Sequence, residues 1–179
     1  PKHIEDIADA LKWLVDHSSQ YGYDGLKVFI GGFSSGAHLA ALLAMDDQYL
    51  EAVGLSLDNI AGIIAISGAY DIAGYHEVFA SGSLPELAVE HVESVFGSTQ
   101  EGWIATSPAT YIDKLKSPML LMTDNRVDNY TRWFDEVLRE HHYEDVDVVY
   151  VGGLDHGPLW QEIGKAEHSQ YRDMILSFI

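Results

Sequence analysis

The string Gly31-Gly32-Phe33-Ser34-Ser35-Gly36-Ala37-His38-Leu39-Ala40 sets a serine in the pattern G-x-S-x-G over residues 32–36. A serine hydroxyl is a weak nucleophile that needs close presentation and a base. A sharp turn from strand to helix supplies the presentation: it holds the serine in a strained backbone above the sheet. The helix N-terminus behind it favours the negative charge that develops on a reacting carbonyl. Small neighbours let strand and helix pass closely. The string has that context, because apolar Leu26–Ile30 precedes it and an Ala- and Leu-rich run to Met45 follows. The alternative is a flexible turn that a serine merely caps. Ser35 is the competing serine, but Phe33 breaks the pattern around it. Its backbone N–H better suits an oxyanion hole.

Nine histidines compete for the base. His156 stands apart in Gly152-Gly153-Leu154-Asp155-His156-Gly157, a glycine-rich loop that lets a ring approach the serine. Its alternative role is to cap the next helix or face solvent. His38, on the helix after the serine, reads as a buried, hydrogen-bonded structural residue. His141 and His142 end a helix, where a cation is favourable, and read as surface residues. His3, His17, His76, His91 and His168 carry no signal, and no spaced histidine set suggests a metal.

The elements that must position these residues alternate between helix and short strand. Ile4, Ile7, Ala8, Leu11, Leu14 and Val15 recur at helical spacing. Strands are expected at Leu26–Ile30, Ile60–Ile66, Met119–Thr123 and Val146–Val151, and helices at Ser34–Met45, Pro85–Phe96, Tyr130–His141 and Leu159–Ile179. Strands separated by helices imply a mostly parallel sheet flanked by helices, an α/β class, with ligands at the carboxyl ends of the strands. One domain over 1–179 is expected, with a variable, cap-like segment over 70–111.

The serine string resembles the nucleophile elbow of esterases in the α/β-hydrolase superfamily. It is most similar to the branch of hormone-sensitive-lipase-like carboxylesterases and kynurenine formamidases, where Ser-x-Gly-(Gly/Ala)-His-Leu-Ala is typical. Tyr23-Asp24, Ile66-Ser67-Gly68-Ala69-Tyr70-Asp71 and Ser107-Pro108 also look like that branch. The resemblance implies Ser34 as nucleophile, His156 as base and an aspartate between them in chain order. The run Thr123-Asp124-Asn125-Arg126-Val127-Asp128 offers two. Counting about four residues beyond the third strand points to Asp128, and counting back from Trp133-Phe134 points to Asp124. Asp128 is preferred, since strand ends are better fixed than loop lengths. Its weakness is that it could instead cap the following helix. Asp155 is too close to His156 in the chain to reach round and orient it.

The resemblance also implies upstream strands and a His-Gly-Gly-Gly-type loop that completes the oxyanion hole, and residues 1–33 contain neither. A truncated chain is therefore expected. One lost donor costs roughly 10²–10³ in rate. Leu26–Ile30 would then be an apolar sheet edge through which two copies could pair. Ester hydrolysis leads the expected functions, with amide hydrolysis of arylformamidase or acyl-peptide type second. A non-catalytic binding fragment is the third. Phe33, Tyr70, Trp103 and Trp160 are candidate pocket walls, equally suited to the core. No cofactor is implied.

Composition bounds these readings. The chain has 179 residues, 47% hydrophobic, and a net charge of −18 from 10 basic and 28 acidic side chains. That field repels nucleic acid. The absence of cysteine excludes a disulfide framework, a thiolate zinc site and a cysteine nucleophile. No run is long enough to span a membrane. A soluble chain is expected, the cytoplasm slightly favoured.

Overall fold

The computed structural model describes residues 2–179. Four strands form one sheet in the order β1-β2-β3-β4. They are β1 (Val28–Phe33), β2 (Ile60–Ile66), β3 (Met119–Thr123) and β4 (Val146–Tyr150). All three pairings are parallel. The central strands IAGIIAI and MLLMT are apolar almost throughout, as strands covered on both faces must be.

Side-chain alternation divides the core in two. Ile63, Ala65, Met119 and Leu121 face one side, where they meet α1 (Lys2–Tyr21), α2 (Ser35–Met45) and α8 (Asp128–Glu140). Helix α1 contributes Ile4, Ala8 and Leu11, and α8 contributes Phe134 and Leu138, all at helical spacing. Helix α2 is apolar nearly all round and is buried between the sheet and α1. Ile64, Ile66, Leu120 and Met122 face the other side, under α9 (His156–Lys165) and α10 (Gln170–Phe178).

A short helix α3 (Gln48–Ala52) and a 3₁₀ turn at Leu57–Asn59 link α2 to β2. Between β2 and β3 the chain runs through α4 (Ile72–Ala80), α5 (Glu86–Ala88), a π turn over Val89–Glu93, α6 (Ser94–Phe96) and α7 (Gln100–Ala105). A 3₁₀ segment, Pro108–Lys114, returns it to β3. The expected helix over Pro85–Phe96 thus carries a π turn in its middle. Helices α4 and α7 were not expected.

Two further boundaries differ from expectation. Strand β1 begins at Val28 and continues through Gly31-Gly32 to Phe33, instead of ending at Ile30. These glycines permit close approach; they do not stop the strand. A Cβ on Gly32 would lie 2.2 Å from the carbonyl carbon of Gly36 and 2.3 Å from its oxygen. The expected closing helix Leu159–Ile179 is two helices, because Ser169 caps the second by accepting from the Arg172 N–H. Among the described residues, no helix is long and apolar enough to cross a membrane.

Candidate active site

Ser34 sits between β1 and α2 with φ 58° and ψ −119°. A non-glycine residue held there carries strain of order 1–3 kcal/mol. Its surroundings over-determine it. The Ser34 N–H donates to the Ile66 carbonyl at 2.8 Å, and its own carbonyl accepts from the Ala37 N–H at 3.0 Å. Gly32 lets the helix cross within contact of the strand. The expectation of small neighbours holds unequally, since a Cβ on Gly36 would meet nothing within 4 Å. Although Ser34 stands at the N-cap of α2, its side chain makes no capping bond. The capping alternative therefore does not describe it. Ser35 is the first residue of α2, so its N–H has no carbonyl four residues back to bind.

His156 is the first residue of α9, in the loop just beyond β4. Its Nδ1 lies 2.7 Å from Oδ2 of Asp124. Asp124 follows β3 directly and is fully buried. Burial pushes its carboxyl up, but hydrogen bonding by Ser67, by the Arg126 N–H at 2.8 Å and by His156 outweighs this. The net effect holds the carboxyl below its ordinary value. The ionised carboxylate can only accept, so His156 Nδ1 donates, and in the neutral imidazole Nε2 is then the nitrogen that carries the lone pair. No hydrogen bond joins Ser34 to His156, although both line the same cavity.

The two loops are fastened at several points. The Val151 N–H donates to Thr123 O at 2.9 Å and the Asn125 N–H to Leu154 O at 3.2 Å. Outside them, Arg126 Nε donates to Asp155 Oδ2 at 3.0 Å. The His156 ring packs on Phe33, with centroids 4.4 Å apart. Phe33 in turn meets Trp160.

Asp128, the preferred acid from the sequence, does not meet His156. It occupies the first turn of α8, and its carboxylate accepts from Arg132 Nε at 2.9 Å on the surface. The strand-end count fails because only residues 124–127 separate β3 from α8, so the carboxylate nearest the sheet is the one that reaches the imidazole.

Ser34, Ser35 and His156 line one cavity of about 390 Å³ at the carboxyl ends of the strands. Its aromatic surfaces come from Tyr75, Phe96 and Tyr130. The four aromatics considered from sequence lie elsewhere. Tyr70 is fully buried and stacked on Phe134, Trp103 stacks on His76, and Phe33 and Trp160 lie behind His156. Ser67, which sequence reasoning missed, lines the cavity with a φ of 56° at the end of β2. Its signal was its place after a buried parallel strand, in Ile66-Ser67-Gly68. His38 is buried, its ring donating from Nε2 to the Thr106 carbonyl at 2.8 Å. Burial lowers its pKa, more than that hydrogen bond raises it. Among the described residues, no group of three or more His, Asp or Glu could hold a metal ion.

A parallel sheet with helices on both faces and a serine turn at its carboxyl edge gives the chain an α/β-hydrolase fold. More narrowly, a model of the BD-FAE family matches residues 1–131, and the chain belongs to that family. It is 26% identical over 125 residues to the probable carboxylic ester hydrolase LipM of Mycobacterium tuberculosis. That match covers 68% of this chain and 29% of LipM, so the chain spans under a third of that relative. Among solved structures, a truncated carbohydrate esterase from gut microbiota superposes with a TM-score of 0.71 at 18% identity. The superposition covers 99% of this chain and 67% of that one. Thermogutta terrifontis esterase 2, phosphoramylated by tabun, gives 0.69 at 20% identity, over 98% of this chain and 62% of the other.

Proposed function

We propose that this chain carries the nucleophile, base and acid of a serine hydrolase that cleaves carboxylic esters. The observation that supports this most is the buried Asp124 carboxylate 2.7 Å from His156 Nδ1, beside a serine in strained backbone. Ser34 Oγ attacks the acyl carbon as His156 Nε2 takes its proton. Asp124 holds the ring and stabilises the imidazolium. The Ser35 N–H donates to the oxyanion. The tetrahedral intermediate collapses, and the imidazolium protonates the departing alcohol. Water, deprotonated by His156, then attacks the acyl-Ser34 carbonyl. The acid is released and Ser34 regains its proton. The esterase names of the relatives support an ester as the bond cleaved. Hydrolysis of p-nitrophenyl acetate tests the reading. It is expected to vanish in Ser34→Ala and in His156→Ala. Undiminished turnover by folded Ser34→Ala would overturn it.

A further inference from the structure

The cavity above Ser34 has a lining that catalysis alone does not explain. Among the described residues that line it, Glu90, exposed on the π turn, is the one carboxylate, three histidines (His38, His91 and His156) are present, and there is no lysine or arginine. Two arginines close in sequence to the lining residues Val127 and Tyr130 are paired with carboxylates, Arg126 with Asp155 and Arg132 with Asp128. Tyr75, Phe96 and Tyr130 supply aromatic surface in the same cavity, with Tyr75 and Tyr130 edge to face at 5.3 Å. Aromatic faces attract a cation through their quadrupole, and quaternary ammonium groups are the ligands this arrangement suits. A carboxylate in the same space adds charge attraction. The chain's net charge of −18 deepens the negative potential over a cleft.

We propose that this cavity selects esters carrying an ammonium group, with Glu90 as the residue that sets the charge preference. The proposal builds on the ester-hydrolase reading and names its substrate class. Such a substrate places its acyl carbon at Ser34 and its cationic end against Glu90 and the aromatic wall. An ester bearing a carboxylate is disfavoured by the same residue.

Binding separates this proposal from the hydrolase reading. Choline and its uncharged isostere, in which carbon replaces the quaternary nitrogen, are titrated calorimetrically into the chain at low ionic strength. A preference of about ten-fold for choline is expected, falling to about two-fold in Glu90→Gln. In parallel, acetylthiocholine and its uncharged isostere are offered as substrates, with thiol release read by a disulfide reagent. The chain has no cysteine, so it adds no thiol background. The kcat/KM ratio of the two substrates is expected to follow the binding ratio. Equal binding of the charged and uncharged ligands, or a preference unchanged in Glu90→Gln, overturns the cationic site. If both thioesters are then hydrolysed equally, the hydrolase reading still stands. A choline preference that depends on Glu90, with no turnover of either thioester, upholds the site and counts against the hydrolase reading.

Discussion

Replacing each of the two aspartates by asparagine separates them sharply. Asp124 is buried and accepts from both His156 and the Arg126 N–H. Asparagine keeps the shape and one acceptor, so the loop can still form. Its amide cannot stabilise an imidazolium, and a flipped amide would favour the wrong imidazole tautomer. Loss of that role is expected to lower kcat/KM by roughly 10³–10⁴, or about 4–5.5 kcal/mol of transition-state stabilisation. Weakened charged hydrogen bonds are expected to cost about 1–3 kcal/mol of stability besides. Asp128 offers a contrast. Its bond to Arg132 joins side chains that are 37% and 55% exposed, and such solvent-screened pairs contribute little to stability. Asp128→Asn should lower thermal stability slightly and leave hydrolysis within about two-fold of the parent. The assay is p-nitrophenyl acetate turnover beside circular-dichroism melting. Equal losses in the two variants would refute the assignment. So would a folded Asp124→Asn chain that keeps a tenth or more of the activity.

Three further outcomes follow from the packing. Gly32→Ala puts a methyl 2.2 Å from backbone that cannot yield, so a loss of at least about 1–3 kcal/mol is expected in urea unfolding. An unchanged midpoint would contradict the close crossing of β1 and α2. Tyr70→Phe removes a buried hydroxyl with no well-formed hydrogen bond, the Gly68 backbone being the polar group beside it, and should leave stability within about 1 kcal/mol, read as a small change in Tm. A clear fall would show that the hydroxyl is bonded after all. His38 is held neutral by burial, below its ordinary value of 6.5. The unfolded chain therefore binds the extra proton first. Stability conferred by neutral His38 is full above pH 6.5 and is lost as pH falls towards the folded value. Urea midpoints measured on either side of this pH should fall on acidification, and less steeply in His38→Gln. Parallel slopes would remove His38 from the account.

Legibility from sequence followed the physics of each segment. Strands β2 and β3 were placed correctly because a strand covered on both faces has nowhere to put polar residues. Strand β1 was misjudged at its end, since glycine reads equally as a stop and as a close approach. Only the Gly36 backbone against Gly32 distinguishes the two. The last two helices share one apolar stripe against Ile64 and Met122, so periodicity ran through the break that Ser169 makes. The π turn at Val89–Glu93 leaves no mark in composition. The turn at Ser34 and the loop position of His156 were legible because the glycines around them mark local backbone features. The carboxylate opposite His156 was not, because two aspartates four residues apart differ only in which faces the sheet end. That difference is tertiary.

The central claim is that Ser34 is an activated nucleophile. Its most direct test is exposure of the folded chain to a fluorophosphonate probe, followed by peptide mass mapping. The adduct is expected on the peptide containing Ser34, confined to that residue, and absent in Ser34→Ala. A folded chain that remains unlabelled, or one labelled instead at Ser35 or Ser67, would contradict it.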